Sequence, residues 1–276
     1  MKVDRKQRIM NLLSMKQVLM LDELCSMLNV SISTLRRDIN NLHDEKKVEK
    51  IYGGIRLPVN GIPSEKVDFD QKNTIPSFYS RNIRNSFEKI AVAKKAASFI
   101  EDDDVIFIDT GTSTVPIIDF ISDRKNVTII TNSVYILYKS LQYDNLNVFG
   151  LPGVLKHRTA SLTGDACIAN LSSYNKISKT FMACTGLSIE HGATNSTFEE
   201  AVIKRHVVEQ SITSFLLSDS TKFNNAGLIT FANINNFNYI ITDSMPDDEF
   251  VNYCQNNKVE LLISPYDYKF GDNDTK

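Results

Sequence analysis

The chain has 276 residues, of which 42% are hydrophobic and 23% charged, with a net charge of −2, so it is an ordinary globular sequence with room for two domains. No apolar run approaches the ~20 residues that cross a bilayer, and the N-terminus leads into no signal-peptide core, so we expect a cytoplasmic protein with no membrane partner. The four cysteines and four histidines lack CxxC or metal-ligand spacing, which indicates reduced thiols, no metal and no cofactor.

The charge is divided unevenly along the chain. Residues 1–56 contain eleven Lys or Arg and seven Asp or Glu, whereas residues 57–276 contain twenty and twenty-six. A basic N-terminal module on an acidic body predicts that contact with nucleic acid is confined to one end of the protein.

Three short amphipathic helices are predicted in the basic module. Ile9 and Leu13 share one face of the first helix, and the second begins near Leu21. Ser31 is a good N-cap for the third helix, which we expect over residues 32–42.

The third helix has an apolar and a polar face. Leu35, Ile39 and Leu42 point to one side, and the other side carries Arg, Asn, Ser and Thr. These side chains read base edges or hold phosphates, whereas a merely solvated face usually carries Lys and Glu at i, i+4 spacing. The predicted DNA-contacting residues of this segment are Ser31, Ser33, Thr34, Arg36, Arg37 and Asn40.

A short hairpin follows the third helix. Residues 48–52 read as a strand, Gly53 and Gly54 as a turn, and residues 55–57 as the return. Lys50 and Arg56 lie on this hairpin, where they can contact the phosphate backbone. The module is therefore predicted to be a winged helix-turn-helix.

The strings VSISTLRRDINNL and KIYGGI resemble the DNA-binding signature of the DeoR family of bacterial transcriptional regulators. The resemblance places Ser31, Thr34, Arg36, Arg37 and Asp38 on the family's recognition helix. It implies a DNA-binding regulator, most often a repressor. The family's usual Gly before the wing is replaced here by Glu45-Lys46-Lys47, so we expect a different turn geometry at that point.

The body begins after a polar stretch with prolines. Residues 57–76 lack sustained periodicity and read as a linker. A helical pattern then runs over residues 81–100, and an acidic run ends it. The core positions predicted on this helix are Ile83, Phe87, Ile90, Ala91 and Ala97.

Seven short apolar runs alternate with helical stretches in the body. They cover residues 105–108, 127–130, 147–149, 179–183, 214–217, 239–242 and 259–263. This pattern predicts an α/β fold with a mainly parallel sheet covered on both faces. Ligands of such sheets bind beyond the carboxyl ends of the strands.

Polar side chains follow several of these predicted strands. Asp109 and a Gly-Thr-Ser-Thr turn follow the first strand and open a helix, where exposed N–H groups suit an anion such as phosphate. Thr131 and Asn132 follow the second strand, and Asp219 and Lys222 follow the fifth. Each loop alone could simply cap a helix, so the prediction depends on their meeting at one edge. Without GxxxxGK[ST] or GxGxxG, nucleoside triphosphates and dinucleotides are not expected as ligands.

The body also resembles the effector domain of the DeoR family, which is similar to sugar-phosphate isomerase folds. The likeness, including the N-terminal module, spans about residues 3–245 and implies a phosphorylated sugar that alters DNA affinity. The family's Gly-Gly after the third strand is Pro152-Gly153 here, which removes one N–H. The predicted effector-binding residues are Lys89, Asp109, Gly111, Thr112, Ser113, Thr114, Thr131, Asn132, Gly153, Asp219 and Lys222.

The sequence therefore predicts a Rossmann-like, isomerase-related effector domain over residues 77–264, a DNA-binding domain over 1–56, and a polar tail over 265–276. We expect a repressor of a sugar-metabolism operon, not an enzyme, that acts as a dimer or tetramer because one winged helix makes few contacts. Two alternatives stay open at this point. The body could serve only for oligomerisation, or it could be an isomerase that uses Asp109, Glu199, Asp219 and Lys222.

Overall fold

A computed structural model describes residues 2–16, 18–28, 30–51, 54–56 and 76–266. The chain divides into two compact units, Met1–Thr74 and Ile75–Lys276. The predicted linker, apart from Pro76, lies outside the described residues. So do Tyr52 and Gly53 of the predicted hairpin and the tail from Asp267.

The N-terminal unit contains three helices and a small antiparallel sheet. Its elements are α1 (Lys2–Lys16), β1 (Val18–Met20), α2 (Leu21–Leu28), α3 (Ile32–Asp44), β2 (Glu49–Ile51) and β3 (Gly54–Arg56). The strand order is β1-β3-β2. The sequence did not predict β1, because three residues carry no periodicity of their own and the strand is defined by its pairing with β3. The winged helix-turn-helix prediction is confirmed.

Helix α3 begins where its cap was predicted. Ser31 has φ −67° and ψ 150°, and its Oγ accepts a hydrogen bond from the Thr34 amide at 3.4 Å. Leu35, Ile39 and Leu42 are buried, as the helical spacing predicted. Asp38 is also buried, because the Arg5 guanidinium of α1 donates to its carboxylate at 2.5 Å. This ion pair ties α1 to α3.

The second unit alternates strands and helices. Its helices are α4 (Phe78–Ile83), α5 (Ser86–Ala97), α6 (Val134–Ser140), α7 (Asp165–Leu171), α8 (Phe198–Gln210) and α9 (Asp248–Asn256), with 3₁₀ helices at Val115–Phe120, Ser220–Lys222 and Ile234–Asn236. Its strands are β4 (Val105–Ile108), β5 (Thr128–Thr131), β6 (Asn147–Gly150), β7 (Val154–Lys156), β8 (Ser161–Thr163), β9 (Ile177–Ala183), β10 (Gly186–Ser188), β11 (Gly192–Asn195), β12 (Ser211–Leu217), β13 (Ile229–Ala232), β14 (Tyr239–Thr242) and β15 (Glu260–Ile263).

Seven strands form the central sheet in the order β15-β14-β12-β9-β4-β5-β6, and every neighbouring pair is parallel. They are the seven strands that the apolar runs predicted. One apolar cluster around Phe107 and Met182 covers one face, and another around Ile106 and Phe181 covers the other. The small sheets β10-β11-β13 and β7-β8 were not predicted. Parallel strands place their carboxyl ends along one edge, which is therefore where a ligand would lie.

The predicted helix over residues 81–100 is instead two helices, α4 and α5, separated at Arg84 and Asn85. Ile90 was predicted to lie in the core, but it is 40% exposed, because the buried stripe of α5 runs through Lys89, Val92 and Ala93. Of the other predicted core positions, Ala97 is buried and Phe87 and Ala91 are half-buried, while the Ile83 side chain is outside the described set. None of the described helices is both long and apolar enough to span a bilayer.

Candidate functional site

The exposed face of α3 carries the side chains that were predicted to contact DNA. Ser31, Ser33, Arg36, Arg37 and Asn40 are exposed, and Thr34 is half-buried. The Ser31 Oγ lies 3.0 Å from the hydroxyls of both Ser33 and Thr34, so these groups also order the start of the helix. Arg36 and Arg37 form no ion pair with any described residue. Both guanidinium groups can therefore reach a base edge or a phosphate.

The charge of the wing is partly neutralised within the domain. Lys50 is exposed, but Arg56 forms an ion pair with Glu49. Glu45 accepts hydrogen bonds from Lys47 at 2.7 Å and from Lys6 at 2.9 Å. These two ammonium groups lower the pKa of Glu45 to about 2. A DNA phosphate at Arg56 would thus compete with the Glu49 carboxylate, whereas the Lys50 side chain is exposed to solvent.

The strand-end residues of the second unit meet at one edge of the sheet. Asp109, after β4, has a carboxylate oxygen that accepts from the Ala183 amide at the end of β9 at 3.1 Å. The hydroxyl of Thr131, the last residue of β5, donates to the Ile108 carbonyl at 2.6 Å. The structure therefore brings together loops that lie 74 residues apart in sequence.

A buried ion pair lies at the centre of this edge. Lys204, from α8, donates to the Asp109 carboxylate and to the Ala183 carbonyl at 3.0 Å, and both charged side chains are less than 5% exposed. The Lys204 ammonium also lies 5.4 Å from the centroid of the Phe231 ring. Lys204 was not among the predicted effector-binding residues, because it lies in the middle of a helix and follows no strand. The Asp109 carboxylate is thus already engaged by the protein.

Glu200 lies one turn before Lys204 on α8 and is also buried. Its carboxylate accepts from Ser161 at 2.7 Å and from Asn195 at 2.9 Å. Burial alone would raise the pKa of Glu200, but Lys204 and these hydrogen bonds outweigh it, and the pKa is lowered. Its neighbour Glu199, which an isomerase reading required, is exposed and paired with Lys156 at 2.9 Å.

Buried cations come to the same edge from α4 and α5. The Lys89 ammonium donates to the carbonyls of Arg81 and Arg84, the latter at 2.5 Å. Burial lowers the pKa of Lys89 to about 8, although Asp219 opposes that shift. Burial also lowers the pKa of Arg81, which Glu200 and Asp109 oppose. Arg81 precedes the strands in sequence and follows none of them, and it was not among the predicted effector-binding residues.

Three buried polar atoms at this edge have no hydrogen-bond partner among the described residues. They are Arg81 Nε, Asn132 Oδ1 and Asp219 Oδ2. The other atoms of two of these groups are satisfied, since the Asn132 amide donates to the Leu162 carbonyl at 3.0 Å and Asp219 Oδ1 accepts from Asn85 at 2.9 Å. A buried polar atom without a partner costs about 1–3 kcal/mol, so such a group indicates a binding site.

The loop after β4 differs from the prediction in one respect. Gly111, Thr112, Ser113 and Thr114 are buried, and Gly111 packs so closely on Ala183 that a Cβ would overlap it. The loop leads into a six-residue 3₁₀ helix, not an α-helix, so a helix dipole contributes little there. The Thr114 hydroxyl donates to the carbonyls of Asp109 and Gly111 at 2.7 and 2.8 Å and thereby holds the loop.

Gly153 is exposed and lies farther along the sheet, on the chain that leads into β7. A Cβ on it would lie 2.6 Å from the Thr163 carbonyl of β8, so the backbone requires glycine there for packing. The carbonyl of the preceding Pro152 accepts from the Cys167 thiol at 2.8 Å. These contacts give Gly153 a structural function, and a ligand contact at this residue stays a prediction.

The edge carries several cations that could hold an anion. The buried and half-buried ionic groups there are Arg81, Lys89, Lys204 and Lys222 on the positive side and Asp109, Glu200, Asp219 and Asp243 on the negative side. A phosphate dianion could bind beside these cations, and carboxylate and amide oxygens next to it could accept from hydroxyl groups. No cluster of three or more His, Cys, Asp or Glu among the described residues could hold a metal ion.

Comparison with known proteins gives two matches to family models. The model of the DeoR C terminal sensor domain matches residues 84–244, and that of the DeoR-like helix-turn-helix domain matches residues 5–60. The HTH-type transcriptional regulator IolR of Bacillus subtilis (strain 168) is 37% identical over 264 residues, which are 96% of this chain and 100% of IolR.

Two further proteins are more distant. The lactose phosphotransferase system repressor of Lactococcus lactis subsp. lactis is 29% identical over 242 residues, covering 87% of this chain and 90% of the repressor. Among solved structures, the ribose 5-phosphate isomerase from Plasmodium falciparum superposes with a TM-score of 0.37 at 16% identity, covering 52% of this chain and 55% of the enzyme.

Proposed function

The chain belongs to the DeoR family of transcriptional regulators, and from this premise we propose that it represses a sugar-metabolism operon under the control of a phosphorylated sugar. Its relatives are named regulators and repressors, and the chain is a DNA-binding regulator rather than an enzyme. In this proposal residues 1–56 bind the operator and residues 77–264 bind the sugar phosphate.

The observation that supports the ligand class is the group of buried and half-buried cations at the carboxyl edge of the sheet. Arg81, Lys89 and Lys222 would hold the phosphate, since an arginine Nε and lysine ammonium groups donate well to phosphate oxygens. Asp219 and Asn132 would accept from sugar hydroxyls with the oxygens that have no described partner. The name of the lactose phosphotransferase system repressor also supports a sugar-related signal.

The regulation would operate by linkage between ligand and DNA. A sugar phosphate that binds the DNA-competent and DNA-incompetent arrangements with different affinities shifts the population between them. Typical coupling free energies are about 1–3 kcal/mol, which correspond to about 5- to 150-fold changes in operator affinity. The operator itself would be bound by an oligomer, because one recognition helix contacts only a few base pairs.

The proposal is tested by thermal unfolding of the full chain with glucose 6-phosphate, fructose 1-phosphate, fructose 6-phosphate, ribose 5-phosphate and inorganic phosphate at millimolar concentration. A compound that binds only the folded state raises Tm. We expect at least one sugar phosphate to raise Tm in the wild type and in Lys125→Ala, and to raise it much less in Lys222→Ala. Lys125 is an exposed lysine at the opposite edge of the sheet and serves as the matched control.

If no compound of the panel raises Tm in the wild type, the sensor proposal is wrong and the body serves for oligomerisation only. Equal shifts in Lys222→Ala and in Lys125→Ala would remove Lys222 from the site. Analytical ultracentrifugation of the same samples measures the oligomeric state independently of the ligand.

A further inference from the structure

The corner between α4 and α5 connects the candidate ligand site to the start of the second unit. Helix α4 is the first described element after residues 57–75, through which the chain passes from the helix-turn-helix to the body. It is only six residues long, and a helix of that length is not stable without external contacts. The contacts that stabilise α4 would therefore influence any ligand-dependent change that is passed on to residues 57–75.

Contacts at both ends hold α4. At its start, the Ser77 hydroxyl accepts from the Ser80 amide at 3.2 Å, and the Phe78 amide donates to the Arg158 carbonyl at 2.6 Å. At its end, the carbonyls of Arg81 and Arg84 both accept from the buried Lys89 ammonium of α5. The last carbonyls of a helix lack partners within it, so Lys89 acts as the C-terminal cap of α4.

The residue at the turn of the corner reaches the strand-end loop after β12. Asn85 has φ 53° and ψ 43°, a left-handed conformation that glycine and asparagine adopt more readily than other residues. Its side chain does not cap α5. The Asn85 amide instead donates to Asp219 Oδ1 at 2.9 Å and to the Thr221 hydroxyl at 3.2 Å.

Atoms that could form hydrogen bonds to a ligand lie on both sides of the contact between Asn85 and Asp219. Lys89 uses two of its three N–H donors on the α4 carbonyls, which leaves one donor, and Arg81 Nε has no described partner. Across the corner, Asp219 Oδ2 is buried without a described partner, while its Oδ1 holds Asn85. A phosphate on Arg81 and Lys89 whose sugar hydroxyl donates to Asp219 would therefore bridge α4 and the β12 loop.

We propose that the α4–α5 corner, residues 78–89, is the element through which the bound sugar phosphate acts on the segment that leads to the DNA-binding unit. The ligand tightens the corner against the sheet edge, and Asn85 is a positioning residue that links the Asp219 loop to it. This inference rests on the proposed function, because it requires the ligand to bind at that edge.

Hydrogen exchange of the full chain tests the tightening directly. The probe is the compound of the phosphate panel that raises Tm most. We expect slower exchange in peptides that cover residues 78–85 as well as in those that cover residues 109–114. Protection of residues 109–114 with unchanged or faster exchange in residues 78–85 would overturn the inference but leave the proposed function intact. No rise in Tm with any compound would instead refute the proposed function, and the inference with it.

The coupling is tested with Asn85→Ala and Asn85→Gly. Both remove the amide, and glycine adopts the left-handed conformation without strain, so agreement between them separates the lost contact from backbone strain. In both variants we expect the probe to raise Tm nearly as much as in the wild type. The change in operator affinity that the probe causes should be at least threefold smaller than in the wild type. The operator DNA for this measurement is selected from a random library. Asn126→Ala is the matched control, because Asn126 has φ 57° and donates to Asp103 at 2.7 Å at the opposite edge of the sheet. If the probe changes operator affinity in both Asn85 variants as much as in the wild type, Asn85 does not couple ligand binding to operator binding.

Discussion

At the scale of single residues, Lys89 caps the end of α4, and its binding of the ligand is a proposal. The residue is 5% exposed, and this burial disfavours the charged form and lowers the pKa of Lys89 to about 8. The two α4 carbonyls satisfy part of its hydrogen-bonding capacity, and a phosphate dianion would supply the missing counter-charge. Because the folded pKa lies below that of the unfolded chain, the contribution of Lys89 to stability rises as the pH increases above about 8.

The same pKa predicts how ligand affinity depends on pH. Phosphate monoesters are dianions above pH 7, so a change in ligand affinity between pH 7 and 9 reflects the titration of protein groups. Lys89 loses its proton over this range, and we expect the affinity for a sugar phosphate to fall by up to about tenfold. Isothermal titration calorimetry at both pH values measures this. Lys89→Arg stays charged and should show little fall, and an equal fall in both proteins would contradict the assignment.

Arg37 is the residue whose substitution separates base reading from phosphate binding. It is exposed on the polar face of α3 and forms no ion pair with a described residue. We expect Arg37→Ala to weaken operator binding by about 1–3 kcal/mol and to relax the preference at one base pair if the guanidinium reads a base. A loss that is uniform across sequences would assign it to phosphate instead.

Fluorescence anisotropy with the selected operator and its single-base variants measures the effect of Arg37→Ala. Arg8→Ala is the control, because Arg8 is an exposed arginine of α1 and its removal changes the net charge equally. Unchanged operator affinity in Arg37→Ala would remove Arg37 from the interface.

At the scale of elements, the Asp109–Lys204 pair fastens α8 to the ends of β4 and β9. Both side chains are nearly inaccessible, and Lys204 also binds the Ala183 carbonyl. Removal of one partner from a buried ion pair leaves an uncompensated charge and costs about 3–5 kcal/mol. We therefore expect Lys204→Met to lower the free energy of unfolding by about that amount in urea denaturation.

A double variant provides the control for this prediction. Lys204→Met combined with Asp109→Asn removes both charges, and we expect it to be more stable than Lys204→Met alone. If the single and double variants have the same stability, the pair is not what fastens α8. Asp109 also remains a predicted sugar-binding residue, so the same samples should be titrated with the sugar phosphate.

At the scale of the whole molecule, we expect the N-terminal unit to bind the operator and the second unit to bind the sugar phosphate. The basic N-terminal unit and the acidic body have different net charges, and each matches its own family model. We expect Arg36→Ala with Arg37→Ala to abolish operator binding while the sugar phosphate raises Tm as in the wild type. Lys222→Ala should do the reverse, with operator affinity within twofold of wild type in the absence of sugar. Loss of both activities in either variant would contradict this division.

Much of the fold could be predicted because it depends on local periodicity. The buried stripe of α3 and the seven strands of the parallel sheet follow from the spacing of apolar residues, and the Ser31 cap follows from the residue type at the start of the helix. The predictions that were wrong involve short or interrupted elements. Strand β1 exists through pairing alone, and the break at Asn85 depends on contacts with a loop 134 residues away.

The sequence by itself determined that this protein has a helix-turn-helix with a polar recognition face and a parallel α/β body, because those features depend on residue type at short spacing. Only the tertiary structure decided which ionic groups lie together at the carboxyl edge of the sheet. Arg81, Lys204 and Glu200 come from helices that no strand-end rule selects, and burial makes their charges significant. Low accessibility and long-range contacts are properties of the folded chain, and no local pattern contains them.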